Sequence, residues 1–192
     1  MTNGVLLFAD VSGFTALTER YSRHREGVSG LTNALNGYIS DICKRILESG
    51  GDILKFAGDA ILALWKCERS NLGKLCQLWN STFGLDFDNV KQAECVALAA
   101  HCSLEIQNHH DYEMTSVGVE LRVKIAISAG KIYCTHVGVP GNMRHIAMSG
   151  SPVGEVNAAE KHCESGDVVL SPNAWDICQR DLFSKGSAYF NK

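Results

Sequence analysis

Short apolar runs and helical spacings alternate along the N-terminal part of the chain. Residues 5 to 9 are continuously apolar and end at Asp10, a pattern typical of a strand buried on both faces. After Gly13 the apolar residues fall three and four positions apart, which predicts a helix of about four turns with one apolar face. That face comprises Leu31, Leu35, Tyr38, Ile39, Ile42 and Ile46. Gly50 and Gly51 end the helix.

The next apolar runs predict a β-hairpin. Residues 52 to 56 and 60 to 65 are rich in apolar side chains, and the Ala-Gly-Asp link at 57 to 59 suits a tight turn. The second half of the chain predicts, in order, a helix over 93 to 107, paired strands at 120 to 129 and 132 to 137 about Gly130, a short helix near 153 to 162, a strand at 167 to 170, and a helix beginning at Ser171-Pro172. Residues 70 to 92 follow neither period, and we interpret them as a surface insertion.

This order of elements predicts the fold. Strand, helix, hairpin, helix, strand is the ferredoxin-like βαββαβ arrangement. We therefore expect an α/β fold (an α+β sandwich) with extra C-terminal strands and helices, as a single domain over residues 1 to 192. In this fold the third strand lies antiparallel beside the first. Asp10, at the end of strand one, is then expected next to Asp59, at the start of strand three.

Composition excludes several classes of protein. A formal net charge of -3 gives no broad attraction to nucleic acid or to anionic membranes. No apolar run approaches the ~20 residues that span a bilayer, and the N-terminus does not resemble a signal peptide, so the cytosol is the expected location. The 8 cysteines are scattered without a CxxC pair and are expected to be free thiols. His109 and His110 lie in a polar stretch that predicts a loop and not a zinc site.

Asp10 and Asp59 gain their chemical meaning as a pair. Alone, Asp10 could cap the following helix, and Gly58-Asp59 is a common turn. Side by side, two carboxylates supply hard oxygen ligands for Mg2+ and the equipment for a two-metal reaction on a nucleoside triphosphate. The residues after Asp10, Ser12 to Thr15, can direct backbone N–H groups to phosphate oxygens at a helix start.

Two segments resemble the catalytic domains of class III nucleotide cyclases: Phe-Ala-Asp-Val-Ser-Gly-Phe-Thr at 8 to 15 and Gly-Gly-Asp-Ile-Leu-Lys-Phe-Ala-Gly-Asp-Ala-Ile-Leu-Ala-Leu-Trp at 50 to 65. The second segment is most similar to the first cyclase domain of bicarbonate-regulated soluble adenylyl cyclases. The same similarity includes Cys-Ser-Leu-Glu-Ile at 102 to 106, Arg-Val-Lys-Ile at 122 to 125 and Leu-Ser-Pro-Asn-Ala-Trp at 170 to 175.

The resemblance implies a role for each matching residue. Asp10 and Asp59 correspond to the aspartates that hold two Mg2+ ions (Mn2+ or Ca2+ are alternatives), with the carbonyl of Val11 as a further ligand. Lys124 corresponds to a basic residue that reaches the phosphates. The loop that wraps the triphosphate corresponds to Ser12, Gly13, Phe14 and Thr15.

One segment departs from the family pattern. Cyclase halves that stabilise the transition state carry Asn and Arg in a Gly-Asp-x-Val-Asn-x-Ala-Ala-Arg segment. Aligned at Val153, this chain has Gly154 and Ala158 at those positions. Asn157 and Lys161 would reproduce the pair only after a three-residue shift. The chain thus keeps the metal-binding residues and needs a second cyclase domain, in the same longer chain or in another.

The resemblance also implies a degenerate second pocket that binds a regulatory anion, bicarbonate. Lys55, Met148 and Asn157 are assigned to it, and the arginine of the relatives is replaced by Asn157.

The implied function is conversion of ATP to 3′,5′-cyclic AMP and pyrophosphate in intracellular signalling. The alternatives are a regulatory half that binds nucleotide or bicarbonate without turnover, and a guanylyl or diguanylate cyclase. A diguanylate cyclase fits poorly, because Ile53 and Leu54 stand where acidic residues should follow.

Overall fold

The computed structural model describes residues 2–67, 87–110, 115–138 and 145–179. Within these residues the elements are, in order, β1 (Thr2–Ser12), α1 (Phe14–Ser22), α2 (Gly27–Glu48), β2 (Asp52–Ala57), β3 (Ala60–Lys66), α3 (Phe87–His110), β4 (Arg122–Val137), β5 (His145–Ser149), α4 (Ser151–Glu160), β6 (Val168–Leu170) and α5 (Pro172–Cys178). None of the helices in the described ranges is long and apolar enough to cross a membrane.

The described residues form a six-stranded mixed sheet at the centre of the fold. Its order is β2-β3-β1-β4-β5, and β6 pairs with β4 in parallel. β3 is antiparallel to both β1 and β2, so β1 and β2 run parallel on either side of it. The predicted ferredoxin-like topology and the α/β fold class are therefore confirmed.

The two faces of the sheet are covered unequally. The main core fills one face, where Val5, Leu7 and Ala9 of β1 pack with α2, α3 and α5. The other face carries smaller apolar clusters covered by α4, one built on Leu6 and another on Ala126. Burial on both faces explains why the β1 sequence is continuously apolar instead of alternating.

The predicted hairpin about Gly130 is wrong, because β4 runs unbroken from Arg122 to Val137. Gly130 is required for a different reason. Its φ is 153°, and a Cβ there would lie 2.9 Å from Cγ of Pro152 on α4. The glycine thus permits the close approach of a helix and does not form a turn.

Three further elements differ from the sequence expectations. The first helical region is divided into α1 and α2. Residues 87 to 92, placed in the surface insertion, form the first turns of α3, and residues 70 to 86 of that insertion lie outside the described residues. β5 was not predicted.

The His109-His110 pair closes α3 instead of lying in a loop. His110 is buried, and its Nε2 lies 3.0 Å from Oδ2 of Asp41 on α2, so this carboxylate links the two helices. Among the described residues, seven cysteines are outside any disulfide, and Cys134 is the exposed one.

Candidate active site

The hairpin turn places Asp59 beside the end of β1. In the β1–β3 register Asp10 lies opposite Ala60, and Asp59 is the residue directly before Ala60. Ala57 pairs with Ala60, so the link between the strands is the two-residue turn Gly58-Asp59, with Gly58 at φ 67°. The juxtaposition predicted from topology is thus present in the strand register.

Lys124 completes this corner of the sheet. It lies opposite Asp10 in the β1–β4 register, and its Nζ is 3.1 Å from Asp10 Oδ2. The same Nζ is 2.5 Å from Glu160 Oε1 at the end of α4. The Lys124 side chain is only 23% exposed. Its hydrogen bonds to Glu160 and to Asp10 raise the pKa of the ammonium above its usual value, so it is fully charged.

The segment after Asp10 turns from β1 into α1. Gly13 stands at the N-cap in the left-handed region and α1 has no side-chain cap. The first backbone N–H groups of a helix have no intrahelical partner, which makes this end suited to phosphate oxygens. The Ser12 hydroxyl donates to the Arg122 carbonyl at 3.1 Å and accepts a hydrogen bond from Ser165 at 2.8 Å.

Sequence reasoning missed Ser165 and Glu160. Ser165 lies in the loop between α4 and β6, far from Ser12 in the sequence, and no motif marks it. Glu160 is part of a helix whose pattern gave no sign of a cation partner.

We expect Gly13→Ala to destabilise the domain. Gly13 has φ 96°, and a Cβ there would lie 2.6 Å from the Glu120 carbonyl oxygen. A strained backbone position of this kind costs about 1–3 kcal/mol. Gly37→Ala, at a helical position with nothing within 4 Å of the added Cβ, is the matched control and should be neutral or slightly stabilising. Thermal unfolding gives the melting temperatures of the two variants. Equal values would contradict the conclusion that the backbone at Gly13 requires glycine.

The donors at this corner fit a hard divalent cation. Asp10 and Asp59 offer carboxylate oxygens, and Val11, the residue after Asp10 on β1, offers a backbone carbonyl. Within the described residues there is no group of three or more His, Cys, Asp and Glu side chains arranged for a metal ion, so a site here rests on two carboxylates and main-chain oxygen. Nitrogen or sulfur ligands typical of zinc are absent from this set.

Sequence comparison assigns the chain that carries this corner to a known family. The profile of the adenylate and guanylate cyclase catalytic domain matches residues 2–189. The chain belongs to this family. The resemblance drawn from the two aspartate segments is confirmed.

Curated relatives show which members of the family this chain is similar to. The domain is 38% identical over 183 residues to adenylate cyclase type 10 of Oryctolagus cuniculus, covering 94% of this chain and 10% of that protein. The Homo sapiens protein of the same name is 37% identical, with the same coverage. This cyclase domain therefore spans about a tenth of the length of the curated relatives it matches.

Solved structures share the fold. The adenylyl cyclase CyaB from P. aeruginosa matches with a TM-score of 0.70 at 19% identity, over 94% of this chain and 82% of that one. The guanylate cyclase domain of RhGC from Catenaria anguillulae, solved with GTP, matches with a TM-score of 0.65 at 15% identity, over 92% and 81% of the two chains.

The α4 helix of this cyclase domain presents the segment that departs from the family pattern. Gly154, Asn157, Ala158 and Lys161 are all exposed, whereas Val156 is buried beneath the helix. Helical spacing places the four exposed residues on one side. The two candidate pairs for the family's Asn and Arg, Gly154 with Ala158 and Asn157 with Lys161, therefore lie on the same surface, one turn apart.

Of the three residues assigned to a regulatory pocket, Met148 packs on a small apolar cluster formed by Leu6, Leu64 and Ile132, and the other two are near residues that do. Lys55 is exposed on β2 and follows Leu54, which packs against the cluster at an irregularity in the strand. Met148 of β5 packs there directly, and so does Val153, one turn before the exposed Asn157 on α4.

Proposed function

We propose that this domain is the metal-binding half of an adenylyl cyclase, which converts ATP to 3′,5′-cyclic AMP and pyrophosphate at an interface with a second cyclase domain. The observation that carries the proposal is the strand register. It places Asp59 beside the end of β1 and brings Lys124 onto Asp10. The alignment at Val153 assigns Gly154 and Ala158, both exposed on α4, to the positions where a complete half carries Asn and Arg.

Each residue of the corner has a task in this reaction. The Asp10 and Asp59 carboxylates and the Val11 carbonyl would hold two Mg2+ ions, with Mn2+ or Ca2+ as alternatives. Such ions, when bound, lower the pKa of the attacking 3′-hydroxyl and offset charge on the leaving phosphates. The 3′-oxygen forms a bond to the α-phosphorus as the bond to the pyrophosphate oxygen breaks, and the hydroxyl proton passes to water.

The remaining contacts bind and orient the triphosphate. An ammonium has three N–H donors, and Lys124 uses two of them on Asp10 and Glu160. The third donor, and the one released when Asp10 binds an ion, are left for phosphate oxygens. The N-terminal N–H groups of α1, from Phe14 and Thr15, would bind the same phosphate tail, and the hydrogen bonds of Ser12 hold the loop in place.

The exposed stripe of α4 explains why a partner is needed. Gly154 and Ala158 carry no side-chain donor toward the charge that develops on the α-phosphate. A second cyclase domain, in the same longer chain or in another, would supply those donors and the residues that read the base. The substrate is assigned as ATP because the relatives that match at 37–38% identity are named adenylate cyclases. Its product would act in cytoplasmic signal transduction.

Co-expression with a complementary cyclase domain that carries the Asn and Arg pair tests this proposal. The purified assembly should form cyclic AMP from ATP with Mg2+ and should turn over GTP much more slowly. Preferred turnover of GTP would replace the adenylyl assignment by a guanylyl one. Binding of ATP and Mg2+ with no product from any such assembly would favour the alternative, a regulatory half without turnover.

A second candidate role is regulation by bicarbonate through the Lys55 pocket. A lone ammonium is a compact, strongly hydrated point charge, whereas a guanidinium provides a bidentate fork for a planar anion. Asn157 provides no charge, so we expect weak stimulation that shifts to higher bicarbonate concentration than in relatives with the arginine. Asn157→Arg should strengthen it. The assembly is assayed across bicarbonate concentrations at fixed pH. Strong stimulation of the unmodified assembly, unchanged by Asn157→Arg, would contradict this assignment of the pocket.

A further inference from the structure

We propose that Glu160 is the positioning residue for Lys124: it retains the ammonium beside the site when a divalent cation takes the Asp10 carboxylate. The inference rests on the proposed function. The Lys124 ammonium lies 3.1 Å from Asp10 Oδ2, so it already holds one oxygen of this carboxylate. A divalent cation that binds Oδ2 therefore competes with the ammonium for this carboxylate.

Glu160 provides the place to which the ammonium withdraws. Its Oε1 lies 2.5 Å from Lys124 Nζ, closer than the Asp10 oxygen. Both carboxylates are 25% exposed, so these charges are only partly screened by solvent. When Asp10 binds a cation, the ammonium keeps one carboxylate partner and remains within reach of the nucleotide phosphates. Without Glu160 the ammonium would have to leave Asp10 for water, which makes the displacement harder.

The location of Glu160 supports a role in the site over a role in helix stability. It is the last residue of α4, where the negative end of the helix dipole disfavours a carboxylate. The cation that offsets this cost comes from the centre of the sheet and not from a neighbouring turn. Lys124, on β4, thereby joins the β1 end to the C-terminal end of α4.

Binding of Mn2+ to the nucleotide-free chain, followed by electron paramagnetic resonance of the free ion, tests the inference without reference to turnover. Lys124→Gln should raise Mn2+ affinity by about fivefold, because it removes the ammonium that competes with Mn2+ for Asp10 in a partly exposed ion pair. Glu160→Gln should lower the Mn2+ affinity by about threefold. Of its two carboxylate partners the ammonium then keeps only Asp10, so it competes more strongly with Mn2+ for that carboxylate. Lys131→Gln and Glu164→Gln change the net charge equally at exposed positions and should have little effect.

The double variant decides how Glu160 acts. If it acts through Lys124, Glu160→Gln will leave the affinity unchanged in the Lys124→Gln background, and also in the Lys124→Met background, which keeps the apolar stem. If the Glu160 effect persists in both backgrounds, it is a direct charge effect and the inference is overturned.

Asp10→Asn and Asp59→Asn separate this inference from the proposed function. Loss of Mn2+ binding in both variants, with no coupling between Lys124 and Glu160, would overturn the inference and leave the proposed metal site intact. Mn2+ binding that ignores both substitutions would contradict the metal site itself, and the inference with it.

Discussion

Asp10→Asn and Asp59→Asn should each reduce cyclic AMP formation by the assembled enzyme by roughly 10³-fold or more. Loss of a metal clamp removes several kcal/mol of transition-state stabilisation, and each 1.36 kcal/mol corresponds to about tenfold in rate. The substitutions keep side-chain size and remove one charge. Because Asp10 is near the end of β1 and Asp59 is in a turn, the core is untouched and the melting temperature should change little.

Asp52→Asn is the matched control. Asp52 lies on the neighbouring strand β2, and its exposed ion pair with Lys66 at 3.5 Å contributes little to stability. Its activity should equal that of the unmodified assembly. Activity within tenfold of the unmodified enzyme for either Asp10→Asn or Asp59→Asn, with normal folding, would rule out the assignment of that residue as a metal ligand.

The isolated chain should be nearly inactive, alone or as a homodimer. Each missing donor to a developing oxyanion costs about 10²- to 10³-fold in rate, and α4 lacks two. Gly154→Asn combined with Ala158→Arg should restore measurable activity to a homodimer. Both positions are exposed, and nothing lies within 4 Å of a Cβ at Gly154. Cyclic AMP is measured for both proteins at equal concentration.

The matched control for this gain is the Asn157→Ala and Lys161→Ala double variant. It should stay as inactive as the unmodified chain. Robust cyclic AMP formation by the unmodified chain, lost in that control, would contradict our alignment. It would show instead that Asn157 and Lys161 supply the donors after a three-residue shift.

The parts of the fold that local sequence determines could be predicted. Residues 5 to 9 are apolar at every position because β1 is buried on both faces, and Gly58-Asp59 specifies a tight turn whatever surrounds it. Ser171 followed by Pro172 starts α5, where the Ser171 Oγ accepts the Ala174 N–H. These features depend on residues close together in the chain.

The features that could not be predicted depend on distant contacts. Gly130 has the sequence features of a turn residue, yet its requirement comes from Pro152 on α4. His110 reads as part of a polar loop, yet Asp41 on another helix stabilises it as a buried residue. Within the site, the order of elements predicted Asp10 beside Asp59, whereas the position of Glu160 against Lys124 depends on how α4 packs on the sheet.

Titration of a fixed amount of this chain with a complementary domain carrying the Asn and Arg pair tests the central claim most directly. Cyclic AMP formation from ATP and Mg2+ should rise from near zero and saturate at one partner per chain. No activity should appear when the chain carries Asp59→Asn. Full activity of the chain without the partner, or activity of the mixture that survives Asp59→Asn, would contradict the claim that this chain supplies the metal-binding half of the site.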